Sequence, residues 1–414
     1  MPRFEPFAGL RYRMSTDLDP VTAPPYDVID EPERAELAAR SPYNAVRLEL
    51  PADEDAEDGE DRYQAAARVL ARWLEIGMIM ADDPASFYLY RMGYHDEAGR
   101  ARQTTGVIGA LGLERLDGEG DVLPHEHTTA RAKSDRLQLL EATKCNLSPI
   151  WCLSLAQGLS AMVEPLGPPF ARATDADGVH HRLWRVNSPA IVDTLAEVVA
   201  SAPVIIADGH HRYETALAYQ DQRAAAGAGP GAHDLIMALV VELAEDEVSV
   251  RPIHRLITGL PTDLDVLDAL SPWFKAEDVG NGVGGGDESL AETMDRCGAL
   301  GLALPDGSLR LLHPRADAFP PFPPFPPDDL LDLDASRADH ARAQLPAHEV
   351  AYRHDGDDLV RRVTGSPGSA GLLLRPATVD QIAGAARQGV RMPPKTTYFH
   401  PKPRTGMVFR SIDR

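Results

Sequence analysis

The residues most capable of chemistry lie together at positions 208–212, Asp-Gly-His-His-Arg. The apolar segment 203–207 before them predicts a short buried strand, and the segment 213–225 after them predicts a helix. Backbone amides at the start of a helix can bind an anion, and the helix dipole favours negative charge there. Arg212 can hold two phosphate oxygens in its planar guanidinium, and Asp208 can cap the helix or bind a divalent ion. These residue types predict a phosphate-binding turn.

Two histidines and a glycine complete this turn. Gly209 is the hinge between the strand and the helix. His210 and His211 place two imidazoles beside the guanidinium of Arg212, where they can donate hydrogen bonds to developing negative charge or exchange protons. The alternative is purely structural: Asp208 only caps the helix, both histidines are surface or core residues, and Arg212 pairs with a glutamate.

A second polar group of mixed charge precedes and opens a helix predicted over 129–143. Its members are His125, Glu126, His127, Thr128, Lys133, Asp135 and Arg136. Glu126 is a candidate general base for a hydroxyl group, or a metal ligand. Lys133 and Arg136 are three residues apart, so one helix face presents two cations. His127 follows Glu126 directly, so the spacing does not match the HExxH zinc motif. The alternative is a polar helix start with solvated charges.

Three weaker signals complete the candidate residues. Tyr26 and Asp27 follow two prolines and predict a rigid polar loop, for which an ordinary turn is the alternative. His254 and Arg255 lie at the end of a predicted strand, where a packed histidine and a surface arginine are the alternative. Lys395 follows two further prolines and could close over a phosphate, although a folded C-terminal loop explains it equally well.

The elements that must position these residues alternate between strands and helices, which predicts an α/β or α+β fold with mixed sheets. The predicted helices are 31–40, 63–76, 129–143, 191–200 and 213–225, and the predicted strands include 44–50, 87–92, 105–113, 149–155, 203–207, 235–243 and 248–253. We expect a catalytic or nucleotide-binding lobe over 1–256, which holds both main groups, and a second α+β lobe over 257–414. The Phe-Pro-Pro tract 319–327 predicts a spacer.

The composition of the chain limits the classes of partner that it is expected to bind. The chain has 41 basic and 63 acidic residues, a net charge of −22, and only five of the basic residues are lysines. Such a chain repels nucleic-acid backbones, so nucleic acid is not an expected partner, whereas a small anion can still bind a locally basic pocket. The three cysteines form neither a disulfide framework, nor a CxxC motif, nor a four-ligand zinc site. The N-terminus lacks a signal peptide and no long apolar run occurs, which predicts a cytoplasmic protein that does not enter a membrane.

Motifs along most of the chain resemble one family. They run in order from near residue 20 to near residue 400: Ala23-Pro-Pro-Tyr-Asp-Val-Ile29, Ser41-Pro-Tyr-Asn-Ala-Val-Arg-Leu48, His125-Glu-x-Thr128 with Lys133-x-Asp135-Arg136, Asn146-x-Ser148-Pro149, Ala207-Asp-Gly-His-His-Arg-Tyr213, His254-Arg255 and Met392-Pro-x-Lys395-x-Thr397-Tyr398-Phe399. In this order they resemble the domain of unknown function 1015. That resemblance implies no settled activity.

The strand, the turn 208–212 and the following helix are also similar to the phosphate-binding turn of the ParB and sulfiredoxin superfamily. That superfamily includes CTP-binding partition proteins, an ATP-using sulfinic-acid reductase and a free-serine kinase. The resemblance implies a ParB/sulfiredoxin-like nucleotide-binding core in which Gly209 to Arg212 cradle phosphates and Asp208 places a metal or a substrate. The kinase's catalytic carboxylate lies far upstream of the turn, so Glu126 is proposed from its chemistry alone. The reductase would need a cysteine in the turn, and none is present.

These observations lead to one main hypothesis and two alternatives. The main one is nucleotide-dependent phosphoryl transfer to a small hydroxylated metabolite, as in a free amino-acid kinase, with Mg²⁺ and ATP, ADP or CTP. Glu126 or Asp208 would accept the proton or hold the Mg²⁺, and cations and hydrogen-bond donors would come from His210, His211, Arg212, Lys133 and Arg136. The alternatives are a non-catalytic nucleotide-binding switch and a metal-dependent phosphohydrolase. A homo-oligomer is compatible with each of them.

Overall fold

The structure is a computed structural model and describes residues 1–13, 16–96, 99–117, 120–125, 133–165, 167–279, 289–319 and 333–413. The chain divides into two units. The first comprises Met1–Pro124, Thr128–Ser249 and Pro401–Arg414, and the second comprises His125–His127 and Val250–His400. The sequence places all of 257–414 in one lobe, whereas in the structure the last residues pack in the first unit.

The described strands are short and numerous. In chain order they are β1 (Phe4–Glu5), β2 (Gly9–Tyr12), β3 (Ile79–Ala81), β4 (Phe87–His95), β5 (Ala101–Gly112), β6 (Val122–Pro124), β7 (Cys145–Asn146), β8 (Ile150–Ser154), β9 (Ala171–Thr174), β10 (His180–Val186), β11 (Val204–Asp208), β12 (Leu235–Glu242), β13 (Ser249–Arg251), β14 (His254–Thr258), β15 (Phe274–Asp278), β16 (Leu300–Ala303), β17 (Leu309–Pro314), β18 (Glu349–Arg353), β19 (Ala370–Leu373), β20 (Tyr398–His400) and β21 (Phe409–Ser411).

Helices occur in both units. In chain order the described ones are α1 (Glu31–Arg40), α2 (Val46–Glu49), α3 (Arg62–Glu75), α4 (Lys133–Thr143), α5 (Leu159–Met162), α6 (Pro189–Ala200), α7 (His210–Ala225), α8 (Val266–Leu270), α9 (Leu290–Cys297), α10 (Asp334–Arg342), α11 (Gly356–Val363) and α12 (Val379–Arg387). The mixed α/β fold predicted from the alternation of elements is confirmed.

The main sheet of the first unit is mixed. Its described strands run in the order β6-β11-β8-β12-β5-β4-β10-β9, and β1 also pairs with β5. β11 is parallel to β6 and antiparallel to β8, and β8 is parallel to β12. The central strands β8, β11 and β12 are buried almost throughout, which is why their sequences are nearly continuous apolar runs. A smaller sheet in this unit has the order β3-β2-β21-β7, so β21 ties the C-terminal residues to the first unit.

The second unit has its own sheet and core. Its described strands run in the order β15-β17-β16-β19-β14-β18, and β13 pairs with β20 in a two-stranded sheet. β16 and β17 form a hairpin, paired in antiparallel register around a turn at 304–308. The spacer predicted over 319–327 lies outside the described residues from position 320 onward.

The strand predicted over 44–50 is wrong, because this segment contains the short helix α2. The side chain of Asn44 decides the local structure: its Oδ1 accepts a hydrogen bond from the Val46 N–H at 2.9 Å, and its Nδ2 donates to the carbonyl of Pro20 at 2.8 Å. Asparagine side chains that bond to the backbone in this way compete with strand pairing and favour turns and helix starts. The alternating pattern therefore buries Val46 and Leu48 in a helix.

No described helix combines the length and the apolar character needed to cross a lipid bilayer.

Candidate functional site

The candidate site lies where β11 ends and α7 begins. β11 is buried from Val204 to Ala207 and ends at Asp208. Gly209 follows with φ of +92°, a left-handed backbone that glycine adopts without steric cost. α7 starts at His210, three residues earlier than the sequence predicts. The imidazoles and the guanidinium of the turn are therefore part of the first helical turn.

Packing requires a glycine at position 209 as well. A Cβ on Gly209 would lie 2.9 Å from Ile150 Cγ2 and 3.0 Å from Arg212 Nη2. Because glycine has no side chain, α7 begins without a side-chain cap from this position. The N–H groups of a first helical turn have no carbonyl partner within the helix, so they can serve an anion instead.

Asp208 is held by two cations. Its Oδ2 accepts a hydrogen bond from Arg212 Nη2 at 2.9 Å, and its Oδ1 accepts one from Lys402 Nζ. Burial by itself would raise the pKa of Asp208, but Lys402 and Arg212 more than offset this effect and hold the pKa well below its usual range. Asp208 is therefore a stable carboxylate that positions its two cations, and it is a poor acceptor of a proton.

Arg212 donates hydrogen bonds to several acceptors in the first unit. Besides Asp208, its Nη1 donates to Ser148 Oγ at 2.9 Å and to the Pro149 carbonyl at 2.6 Å. The centre of its guanidinium lies 6.0 Å from the centre of the Tyr26 ring. These contacts fix the turn to β8 and to the loop before α1. The phosphate-binding role expected for Arg212 stays a prediction, since protein oxygens fill both ends of its planar fork.

Arg136 approaches the same aromatic ring from α4. Its guanidinium lies 4.4 Å from the ring centre of Tyr26, and its Nη1 donates to the Glu49 carbonyl at 2.7 Å. Its Nε and Nη2 donate to Asp135 Oδ2 at 2.8 and 2.6 Å. Burial raises the pKa of Tyr26, and Arg212 lowers it only in part. The fold thus brings Arg212 of the predicted turn and Arg136 of the second polar group to the ring of Tyr26 in the predicted loop.

Glu49 belongs to this site, and sequence reasoning missed it. It is 3% exposed, and its Oε1 accepts a hydrogen bond from Ser148 Oγ at 3.1 Å. Its Oε2 is buried and has no hydrogen-bond partner among the described residues. Burial raises the pKa of Glu49, and Arg136 and Arg212 offset part of that effect. Ser148 therefore connects a buried carboxyl group to the guanidinium of Arg212. A glutamate directly after the motif that ends at Leu48 is the signal that could have found it.

Lys402 is the second residue that sequence reasoning missed. Its ammonium bonds to Asp208 and lies 3.8 Å from Asp27 Oδ2, so it joins the predicted polar loop to the predicted turn. It is one of only five lysines and stands between two prolines. That scarcity and that rigid setting are the signals that could have found it.

The two histidines of the turn differ in their surroundings. The imidazole of His210 is near enough to Asp208 to lower the pKa of that carboxyl further. The Nδ1 of His211 is buried and makes no hydrogen bond within the part of the chain that the structure describes. A buried polar atom without a partner costs about 1–3 kcal/mol, which a bound ligand can recover. Their roles in catalysis stay predictions.

A metal at Asp208 does not fit the described side chains. Lys402 and Arg212 already occupy the two oxygens of Asp208 and would repel a divalent cation. Over the described ranges no cluster of three histidine, cysteine, aspartate or glutamate side chains is placed to hold a metal. The described residues around Asp208 therefore do not form a Mg²⁺ site.

The three weaker candidates His254, Arg255 and Lys395 lie in the second unit, where they make structural contacts. Arg255 is fully buried and binds Asp339 with both carboxylate oxygens at 3.2 Å, and it donates to the Lys395 carbonyl at 3.0 Å. His254 Nδ1 accepts from the Leu374 N–H at 3.1 Å, and burial lowers the pKa of His254 to about 4. The side chain of Lys395 is exposed, and its φ of +62° marks a tight turn.

The second polar group is divided between the units. His125 is buried in the second unit, where its Nε2 lies 2.7 Å from Thr397 Oγ1. Glu126 and Thr128 lie outside the described residues, as does the side chain of Lys133. The roles of these residues, and the site that Glu126 would share with the turn, stay predictions.

Comparison with protein families gives one match. The family model described as "Protein of unknown function (DUF1015)" matches residues 4–336, as the resemblance of the motifs predicts. No curated protein matches the chain.

Several solved structures are distantly similar. The free serine kinase in complex with AMP is 13% identical, with a TM-score of 0.37 over 70% of this chain and 88% of that chain. SbnI from Staphylococcus aureus, truncated at its C-terminus, is 10% identical, with a TM-score of 0.39 over 72% of this chain and 85% of that chain. A conserved hypothetical protein from Pyrococcus furiosus is 13% identical, with a TM-score of 0.34 over 70% of this chain and 90% of that chain. Likeness at this level says nothing about chemistry.

Proposed function

We propose that this chain, which belongs to the DUF1015 family, binds the phosphate tail of a nucleotide at the start of α7 and transfers a phosphoryl group to the hydroxyl of a small metabolite. One observation carries the proposal: Ser148 links Arg212, at the start of α7, to the buried carboxyl group of Glu49 through hydrogen bonds of 2.9 and 3.1 Å. Anion-binding amides and a proton acceptor are the two parts that phosphoryl transfer needs close together.

The phosphate end of the site uses the backbone. The amides of the first turn of α7 point out of the helix start, and the dipole of a 16-residue helix adds to their attraction for an anion. Gly209 keeps the turn tight, because a Cβ at this position would clash with Ile150 and Arg212 and displace the first amides of α7. Lys402 is held beside the turn by Asp208 and Asp27. In this proposal it is the mobile cation that turns from these carboxylates to the phosphate oxygens.

The hydroxyl end uses Glu49. As the substrate oxygen attacks the terminal phosphorus, a P–O bond forms and the hydroxyl proton passes to a carboxylate. The P–O bond to the leaving group breaks, and this group is a nucleoside diphosphate with ATP or CTP and a nucleoside monophosphate with ADP. Asp208 is unsuited to this step because its pKa is held low, whereas burial raises the pKa of Glu49. A substrate hydroxyl that donates to Oε2 of Glu49 would also satisfy an acceptor that lacks a partner among the described residues. Glu126 remains the alternative base.

The first experiment measures nucleotide binding. Titration calorimetry of the full chain with ATP, ADP and CTP, with and without Mg²⁺, is expected to show binding of at least one nucleotide. If none of the three binds, the proposal fails.

The second experiment measures turnover. The full chain with the bound nucleotide is incubated with free hydroxylated amino acids, and ³¹P NMR follows the formation of a phosphate monoester. Binding without any transfer would favour the regulatory switch. Hydrolysis of phosphate esters by a metal-loaded protein, without transfer, would favour the phosphohydrolase.

A further inference from the structure

A pocket of about 280 Å³ lies in the first unit and shares no residue with the candidate site. It is lined by residues 11–13 and 16–18, by the segment 169–172 and by Met407. For comparison, an apolar cavity of about 150 Å³ can hold a benzene molecule. The pocket therefore has room for a ring and a charged group.

Guanidinium groups dominate the polar lining. Arg13 and Arg172 are exposed, and in the described part of the chain neither side chain makes an ion pair or a hydrogen bond. Arg11 is neutralised by Asp82, at 2.8 Å. Asp17 supplies a carboxylate to the lining, so the unpaired arginines outnumber it. The pocket therefore carries an excess of positive charge, although the whole chain has a net charge of −22. This local charge favours the binding of an anion.

The sheet adds to this excess. Arg172 of β9 lies directly opposite Arg182 of β10 in the antiparallel register, and like charges in this position destabilise a sheet. Arg182 is also exposed. An anion bound beside Arg172 would relieve the repulsion.

A backbone donor lies at the same edge. β9 is the last strand of its sheet, and the Thr174 N–H points away from β10, since it donates to Asp19 Oδ1 at 2.7 Å. Alternate amides of a strand point the same way, so the Arg172 N–H points outward as well. Arg172 can thus offer an oxyanion both its amide and its guanidinium.

The other wall is apolar. Tyr12, Leu18 and Met407 are buried, and the ring of Phe170 lies under the guanidinium of Arg11, 5.0 Å from its centre. We infer that this pocket binds a small organic oxyanion, whose carboxylate or phosphate is held by Arg172 and Arg13 and whose apolar body packs on Phe170. The inference is independent of the nucleotide site.

The test uses benzoate and phenyl phosphate as probes, with benzyl alcohol as the neutral counterpart and inorganic phosphate as the counterpart without a ring. Titration of the full chain is expected to show binding of at least one aromatic anion, more tightly than either counterpart. Whichever anion binds better identifies the oxyanion. If neither binds at millimolar concentration, or if benzyl alcohol binds equally well, the inference is wrong.

Variants locate the binding. The double variant Arg13→Ala/Arg172→Ala is expected to weaken binding about tenfold or more, because two charge-assisted contacts are lost. Arg182→Ala removes the same charge from the neighbouring strand without touching the lining, and it should change the affinity less than about twofold. Equal weakening by both changes would indicate a general charge effect and overturn the inference. So would loss of phenyl phosphate binding in Gly209→Ala with retention in the double variant, since that places the anion at α7.

Discussion

Lys402 contacts the carboxylates of both Asp208 and Asp27. We therefore expect its removal to lower the stability of the protein. In Lys402→Met, the buried Oδ1 of Asp208 loses its donor while Arg212 still compensates Oδ2. We expect the free energy of unfolding to fall by about 1–3 kcal/mol, measured by denaturant titration, and nucleotide affinity to fall as well.

Lys144 provides the matched control. Its Nζ lies 3.6 Å from Asp413 Oδ1, and both side chains are largely exposed. Lys144→Met should therefore change stability by less than about 0.5 kcal/mol. Equal effects of the two substitutions would show that Lys402 is an ordinary surface lysine.

Glu49 can be tested without disturbing its packing. Glu49→Gln keeps the size and the hydrogen bond from Ser148 but cannot take up a proton at neutral pH. We expect nucleotide affinity to change little and kcat for phosphoryl transfer to fall about 100-fold or more. Product formation followed by ³¹P NMR measures the rate, and calorimetry measures the affinity.

Glu54 is the control for this substitution, because its side chain is 76% exposed, although its partner Arg34 is buried. Glu54→Gln should leave the rate unchanged. An unchanged rate in Glu49→Gln would remove Glu49 from the reaction and return the role to Glu126.

At the scale of the element, substitution of Gly209 tests the turn between β11 and α7. Gly209 and Gly227 flank the two ends of α7 and both have positive φ, +92° and +81°. A Cβ at Gly227 meets nothing within 4 Å, whereas a Cβ at Gly209 meets Ile150 and Arg212. Both alanine variants should lose about 1 kcal/mol or more of stability from backbone strain. Only Gly209→Ala should abolish nucleotide binding, as measured by calorimetry.

The sequence predicted the local parts of this element well. The apolar run 203–207 and the following helix are both present, since strands buried on both faces leave a clear pattern. The sequence pattern predicts the start of α7 three residues too late, because the histidines and the arginine do not extend the apolar period of the helix. The error at 44–50 has a different origin: the hydrogen bond that Asn44 Oδ1 accepts from the Val46 N–H outweighs an alternating pattern.

At the scale of the molecule, the residues that sequence reasoning missed are those whose partners are remote in the chain. Lys402 bonds to Asp208 across 194 positions, and Glu49 bonds to Ser148 across 99 positions. Spacing within a motif carries no information about such contacts. The scarcity of lysine, with five in 414 residues, is the signal that would have indicated Lys402.

The stability of the second unit should depend on pH through His254. Burial lowers its pKa to about 4 from an ordinary value of 6.5, so between these values the unfolded chain binds the proton and the folded chain does not. The contribution of His254 is therefore fully present above pH 6.5 and is lost as the pH falls towards 4, an effect of about 3 kcal/mol.

His254→Asn keeps an acceptor for the Leu374 N–H and removes the titrating group. Denaturant unfolding at several pH values between 7 and 4 should show a shallower loss of stability in this variant than in the unchanged chain. Identical slopes would mean that His254 is charged, or fully hydrated, in the folded state.

The central claim is that the amides at the start of α7 bind a phosphate tail, and NMR of the full chain labelled with ¹⁵N at histidine and arginine observes them directly. On addition of ADP, the backbone amide signals of His210, His211 and Arg212 should shift strongly, while adenosine, which lacks the phosphates, should leave them in place. If ADP binds but these three signals do not move, or if adenosine moves them equally, the account is contradicted.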